Sequence, residues 1–201
     1  MVECNEVDFC DVKTPSPDLA DKLLAVTEQV LRTEPPMRLQ DIAQLVGASR
    51  ATLYYYFSGR EDLLAFLLSA HAEAGARAVE AATDPAAPPE HRLRASVSAM
   101  IEYLGGHPGV CAGMLGSFGD AGQMREALQA NDTWILRPLR ALLAEGRNSG
   151  SFILEDATDA ANAVVGAVLV GVLGRAMSGA DAADPHFRHG LADQITRGVL
   201  A

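Results

Sequence analysis

Apolar residues recur along this chain at intervals of three and four, the spacing that lines side chains along one face of an α-helix. Leu19, Leu23, Val26 and Val30 form the first such stripe, with Asp18 placed to cap it and Pro35-Pro36 to close it. Ile42, Leu45 and Val46 mark a short helix over Leu39–Val46, which Gly47 ends, and Ser49 stands where it caps a third helix through about Phe57. Further helices are predicted over about 60–82, 90–104, 110–118, 123–147, 156–177 and 185–199. The separators Asp84–Pro89, Gly105–Gly109, Asn148–Gly150 and Ser178–Pro185 are rich in Gly, Pro and Asp. No strand candidate is longer than Ser151–Leu154, and the chain has no repeat and no low-complexity tract. The predicted fold is all-α, with about nine helices.

Composition narrows the class. With 201 residues, 49% of them hydrophobic and 21% charged, the chain can bury a sizeable core in one large domain or two small ones. Only 5% of residues are aromatic, which favours helix over sheet. Sixteen basic against 26 acidic residues give a net charge of −10, which argues against a general polyanion binder. Any contact with nucleic acid must therefore use a small local surface. All but two of the basic residues are Arg, which suits fixed, bidentate contacts. Cys4, Cys10 and Cys111 do not form a disulfide framework, and a reducing cytosol is the simplest setting. The opening residues lack the basic and apolar regions of a signal peptide. The longest apolar run, Ala163–Leu173, falls short of the roughly 20 residues that span a bilayer. A cytoplasmic protein with no membrane partner is expected.

The most informative segment is Gln40–Phe57, QDIAQLVGASRATLYYYF. Two helices joined by a three- or four-residue turn cross steeply, so the position beneath the crossing must be small, here Ala43, and the turn needs a residue at ease in the left-handed region, here Gly47. Ile42, Val46, Ala48 and Leu53 then meet inside the corner. The outer face of the second helix carries Ser49, Arg50, Thr52, Tyr54 and Tyr55, which can hydrogen-bond to phosphates and base edges, with Ala51 among them. On pattern alone, an ordinary helical corner with a polar outer face fits equally.

The run DIAQLVGASRATLYYYFSGREDLL, Asp41–Leu64, resembles the tetracycline-repressor (TetR) family of bacterial transcription regulators. The shared features are D-I-A, a small pair around Gly, Ser followed by a basic residue, T-L-Y, two further aromatic positions, Phe, and a basic residue before an acidic-Leu helix start. The resemblance covers residues 18–75 well; the remainder agrees in length and helix order. It implies a leader over 1–17, a DNA-binding domain over 18–62, and a ligand-binding and dimerising domain over 63–201. It further implies a homodimer that binds a double-stranded DNA operator and answers to a small-molecule effector, with Arg60 and Tyr55 at positions that contact phosphate. Arg50, one residue into the second helix, can reach guanine O6/N7. Arg38 stands where the family has a Thr or Ser cap, which removes a side-chain acceptor but adds a reach toward phosphate. Charge is the chief objection, since residues 1–75 hold six basic and twelve acidic residues. It supports an alternative, a helical small-molecule-binding protein that does not bind DNA.

The body offers a mixed stripe of Met100, Tyr103, His107, Cys111, Met114 and Phe118, spaced by three and four. Trp134, the only tryptophan, lies four residues before Pro138, which removes the helical bond to the Trp134 carbonyl. These residues form either the wall of a mostly apolar ligand pocket or a plain core; the family resemblance favours the pocket. The segment Asp159–Met177 is apolar and small nearly all round, as expected of either a two-fold helical interface, with Val164, Ala167, Val168, Gly171 and Arg175 as candidates, or a central core helix. The five histidines are scattered, and no metal set, phosphate loop or catalytic motif is evident, so neither a metal, nor a cofactor, nor an enzyme is expected.

Overall fold

The computed structural model describes residues 14–117 and 125–200. The expected leader over 1–17, with Cys4 and Cys10, falls almost wholly outside the described residues, as does Phe118.

Among the described residues the chain is helical throughout. Its elements are α1 (Pro17–Ala25), α2 (Thr27–Arg32), α3 (Leu39–Leu45), α4 (Arg50–Tyr56), α5 (Arg60–Ala82), α6 (Pro89–Gly105), α7 (Pro108–Ser117), α8 (Arg125–Asn131), a π-helical turn (Asp132–Leu136), α9 (Arg137–Ser149), α10 (Ala157–Met177) and α11 (Pro185–Arg197). Two of the expected helices are subdivided. The first breaks at Val26, where the Thr27 hydroxyl donates to the Leu23 carbonyl at 3.3 Å and competes with the helical ladder. Its cap is Ser16 rather than Asp18: the Ser16 hydroxyl accepts from the Leu19 N–H at 3.4 Å.

The second subdivision lies at the expected Gln123–Arg147 helix. Pro138 sits at the start of α9 and cannot donate to the ladder, and the π turn immediately before it takes up the irregularity. Arg137 and Arg140 both pair with Asp132 across this turn, at 3.5 and 2.8 Å. The Arg140 hydrogen bond is the main cause holding the Asp132 carboxyl below its ordinary range.

Two apolar cores result. The smaller joins Leu19, Leu23, Val30, Leu39, Ile42, Ala43, Val46, Leu53 and Phe57 with Leu63 and Leu67 of α5. The larger is built by α6 to α11 together with Ala65 and Leu68, also of α5. One helix thus serves both cores, with adjacent residues pointing to opposite sides.

A second tie crosses between them. The Glu28 carboxylate of α2 accepts from the Gly109 N–H at 2.9 Å and the Val110 N–H at 3.3 Å, at the start of α7. Free amides at a helix start favour an anion. The fit is close: a Cβ on Gly109 would lie 2.9 Å from Glu28, and one on Gly113 would lie 3.0 Å from Leu68 and 3.2 Å from Leu31.

Helix α10, 21 residues with a mean hydropathy of 1.7 over its most apolar 18-residue window, is by length and composition sufficient to cross a membrane, although the run Ala163–Leu173 alone is too short. Packing within the protomer covers about a third of its apolar stretch. Ala161, Val164, Val165, Val168, Leu169 and Val172 are buried inside the protomer, against α6, α7, α9 and α11. The expected short strand is a single bridge between Phe152 and Leu200.

Candidate functional site

The head presents one well-formed outer face. Gly47 adopts φ 68°, the left-handed turn between α3 and α4. The Ser49 hydroxyl caps α4 by accepting from the Thr52 N–H at 2.9 Å, and it lies 2.7 Å from the Thr52 hydroxyl. Leu53 is fully buried beneath. Facing outward, Arg50, Ala51, Tyr54 and Tyr55 are exposed, the two tyrosines at 48% and 58%. The Arg50 guanidinium lies 5.3 Å from the Tyr54 ring centre, a cation–π pair that pre-orients it along the helix.

Three expected contact residues also carry structural duties. Ser49 and Thr52 engage each other in the cap, which leaves less of their bonding capacity for DNA. Arg60 donates from Nε to the Met37 carbonyl at 3.1 Å and so pins the loop before α3; its terminal amines are not used in that bond. Arg38 supplies no side-chain cap, as its chemistry requires. Instead its own N–H donates to Asp41 at 3.2 Å. Asp41 thus turns to its own helix start and not to the outer face.

Among the described residues, several of the expected pocket residues divide between two openings of the body. An inner cavity of about 50 Å³ lies between α5, α6, α7, α8, the π turn and α10, walled by Leu68, His71, Met100, Tyr103, Met114 and Leu169 among others. An outer groove of about 580 Å³ runs between α5, α6, the π turn and α9, and includes Arg77, Arg92, Trp134 and Leu142. Met100 and Ile135 line both. Of the expected pocket residues, Met100, Tyr103 and Met114 therefore meet at the cavity, while Trp134, 43% exposed, belongs to the groove.

Cys111 lines neither opening. It is fully buried in the body core, and burial, helped by the Glu28 charge, pushes its thiol up to about 12. His107 lines neither as well; it stacks on Tyr103 at 4.6 Å between ring centres and contacts the Tyr103 carbonyl through Nδ1 at 2.7 Å.

A polar cluster was not foreseen from the sequence. His71 of α5 is only 4% exposed, and its Nδ1 lies 2.7 Å from the Tyr103 hydroxyl. Burial, with the neighbouring His107, lowers its pKa to about 4, so it is neutral at physiological pH. Burial also raises Tyr103 to about 12. Among the described residues the other ring nitrogen, Nε2, is buried without a partner. His71 belongs to a helix whose apolar period runs through Leu64, Leu67 and Leu68, and periodicity reads its position as core. The signal that marks it is the facing Tyr103, which only the fold brings near. Arg77 and Arg92 at the groove were missed for the same reason. They come from separate helices and pair with Glu73 and Glu145 respectively.

The expected interface residues on α10 divide sharply. Val164 and Val168, 3% and 1% exposed, point into the protomer core and are not available to a partner. Gly171 faces α11 of its own chain, where an added Cβ would lie 2.8 Å from Leu191. Arg175 staples α10 to the α11 start through Asp184 at 3.2 Å and lies over the Phe187 ring. Only Ala167 is on the open face. That face instead carries Ala163, Ala167, Val170, Gly174 and Met177, with Val170 at 59% and Met177 at 79% exposure. No group of three or more His, Cys, Asp or Glu side chains is placed to hold a metal among the described residues.

Comparison with known proteins places this geometry. Residues 23–67 match the family described as bacterial regulatory proteins, tetR family. No curated protein sequence matches the chain. Solved structures are similar over nearly the whole length. The fatty acid degradation regulator FadR from Bacillus halodurans superposes with a TM-score of 0.76 at 19% identity, covering 92% of this chain and 98% of that one. FadR from Bacillus subtilis, in complex with stearoyl-CoA, gives 0.70 at 19% identity, covering 90% and 97%. PfmR from Thermus thermophilus, a TetR family transcriptional regulator, gives 0.66 at 22% identity, covering 92% and 97%.

Proposed function

We propose that this chain, a tetR-family regulator by its head and by its whole-chain fold, is a cytoplasmic repressor that binds a pseudo-palindromic operator as a homodimer and is released by a mostly apolar small molecule. The observation that carries the reading is the outer face of α4. A capped helix with a buried Leu53 holds Arg50, Tyr54 and Tyr55 out toward solvent at the far side of a left-handed glycine turn. Arg50 reads a base edge, while Tyr55, Arg38 and the free amines of Arg60 hold phosphates. The reading divides the chain into a head over 18–62 and a body over 63–201, with Leu63 and Leu67 of α5 reaching from the body into the head core.

The open face of α10 supplies the two-fold contact. Ala163, Ala167, Val170, Gly174 and Met177 recur at helical spacing, and the small residues among them let a second α10 approach closely. Two heads then face successive major grooves, about 34 Å apart.

Effector volume acts through two helices. α5 contributes His71 and Gly75 to the inner cavity, and Leu63 and Leu67 to the head core. α7 contributes Val110 and Met114, and its start is held by Glu28 of the head. A molecule that prefers the expanded cavity shifts both, and release follows from that difference in affinity between states. The cavity favours apolar groups, whereas the groove beside it has Arg77 and Arg92 at its edge and accepts a polar end. The Bacillus subtilis relative, which holds stearoyl-CoA, joins the same two chemistries in one ligand.

The acidic charge favours a second reading, a ligand-binding protein without an operator. A gel shift of the purified protein against its own upstream DNA separates the two. A discrete complex that survives excess random DNA supports the repressor; equal affinity for both DNAs, or no complex, supports the alternative.

A further inference from the structure

The buried histidine in the wall of the inner cavity has a vacancy in its bonding, and the count of donors decides its sign. His71 Nδ1 and the Tyr103 hydroxyl are 2.7 Å apart, and no other hydrogen bond is made by either group among the described residues. If Nδ1 carried the proton, it would donate to Tyr103. The tyrosine proton and the bare Nε2 would then both lack partners. If Tyr103 donates to Nδ1, one group alone is left over, the Nε2 N–H. Every buried polar group left unpaired costs free energy, so the arrangement that leaves one rather than two is preferred. His107 stacks on Tyr103, lies 5.0 Å from the His71 ring as well, and bonds the Tyr103 carbonyl, which fixes the tyrosine ring in place.

The walls define what can meet that donor. Leu68, Met100, Leu104, Val110, Met114 and Leu169 are apolar, Asn131 adds one amide, and among the described residues no charged side chain lines the cavity. His71 itself is neutral at physiological pH. A carboxylate would lose its water with no counter-charge, and an ammonium would meet a donor. At about 50 Å³ the space admits only the carbonyl end of a ligand, and the rest of the molecule lies toward the adjoining groove, which shares Met100 and Ile135 with it.

We infer that the inner cavity is a subsite for a neutral carbonyl group with apolar flanks, its oxygen accepting from His71 Nε2 while Tyr103 holds the imidazole in the donating tautomer. This rests on the effector-binding reading above and names the polar group of the effector. It also assigns the division of labour: Tyr103 is a positioning residue and His71 the contact.

The test uses acetophenone, cumene and benzoate, three compounds of nearly one shape that present a carbonyl, no polar group and an anion. Binding to the full-length, DNA-free protein is followed by calorimetry. Acetophenone should bind, benzoate should not compete with it, and His71→Phe should lower the acetophenone-to-cumene affinity ratio about 5–10-fold, the worth of one neutral hydrogen bond. Two measurements on the unaltered protein remain decisive if the variant folds poorly. The ¹³C-labelled carbonyl stretch of bound acetophenone should move to the hydrogen-bonded range, and the His71 ¹⁵N shifts at pH 7 should report the Nε2–H tautomer. Absence of acetophenone binding, a carbonyl stretch at its apolar-solvent position, an Nδ1–H tautomer, tighter binding of benzoate, or an unchanged ratio in His71→Phe overturns the inference. The gel shift without compound is a separate result. Operator binding with no carbonyl site sinks only this subsite, and a carbonyl site with no operator binding sinks only the repressor.

Discussion

The head and the body of this protein solve opposite packing problems. The head closes eleven buried apolar side chains around short helices and leaves its only specialised chemistry outside, on the exposed face of α4. The body keeps its chemistry inside: a cavity, a groove, a buried histidine–tyrosine pair and a π turn that contains the only tryptophan. A surface that reads a rigid partner needs a fixed scaffold. A site that takes in a molecule needs walls with incomplete packing, and it gives up stability for that.

The sharpest way to break the comparison is at α10. Val170→Arg places a charge on the open apolar stripe without touching either core, so thermal stability should hold while the chain sediments as a monomer. Operator affinity should fall on the order of 1,000-fold or more, toward non-specific binding. An intact dimer would move the interface elsewhere. Gly171→Arg is the poorer probe, because it collides with Leu191 of the same chain.

Paired truncations compare the two cores directly. Leu53→Ala in the head should cost about 2–5 kcal/mol in urea unfolding. Leu104→Ala at the cavity wall should cost roughly half as much, since that side chain already lacks neighbours on one side. Equal costs would mean that the cavity is closed in solution.

Acid should strike the body. The folded pKa of His71, about 4, lies below its ordinary value of 6.5, so the unfolded chain binds more protons between those values. Stability therefore rises with pH across that window and is lost as pH falls from 6.5 toward 4, by up to roughly 3 kcal/mol. Unfolding at pH 7 and pH 4.5 measures the loss, and His71→Phe should flatten it.

Smaller effects test the head's surface and its tie to the body. Arg50→Ala should weaken operator binding by about 1–3 kcal/mol and leave random DNA nearly untouched. Equal losses on both would demote Arg50 to a phosphate contact. Glu28→Gln should cost the unliganded operator complex about 1 kcal/mol or less, yet make release by an effector several-fold less complete, because α7 is no longer anchored at its amides. Unaltered release would leave α5 as the sole route.

The head was largely legible because its constraints are local. Gly47, Ser49 and the apolar trio of Ile42, Val46 and Leu53 each dictate geometry within a few residues, and all occupy the expected places. The body was legible as helices but not as a site. Which face of α10 turns inward depends on what α6, α7, α9 and α11 present to it. A helix apolar on all sides carries no period to say so; Val164 and Val168 turn inward although the sequence offers them to an interface. Pro138 signalled an irregularity correctly, but periodicity could not tell a kink from a π turn. His71 and Tyr103 stand 32 residues apart, and only the packing of α5 on α6 brings them together.

The double membership of α5 has a mechanical consequence. From His71 back to Arg60 the helix is about 16 Å long at 1.5 Å per residue. A tilt of about 5° pivoting near the cavity would therefore carry the Arg60 end by roughly 1.5 Å, and a two-fold mate would double the change in spacing. The helix is stiff enough to act as a lever, and Leu63 and Leu67 grip the head along its N-terminal arm. Because the displacement grows with distance from the pivot, a molecule that moves the cavity wall by a fraction of an ångström is felt at the loop that Arg60 holds through Met37. The leverage, rather than the size of the cavity, then sets how small an effector can be and still be noticed.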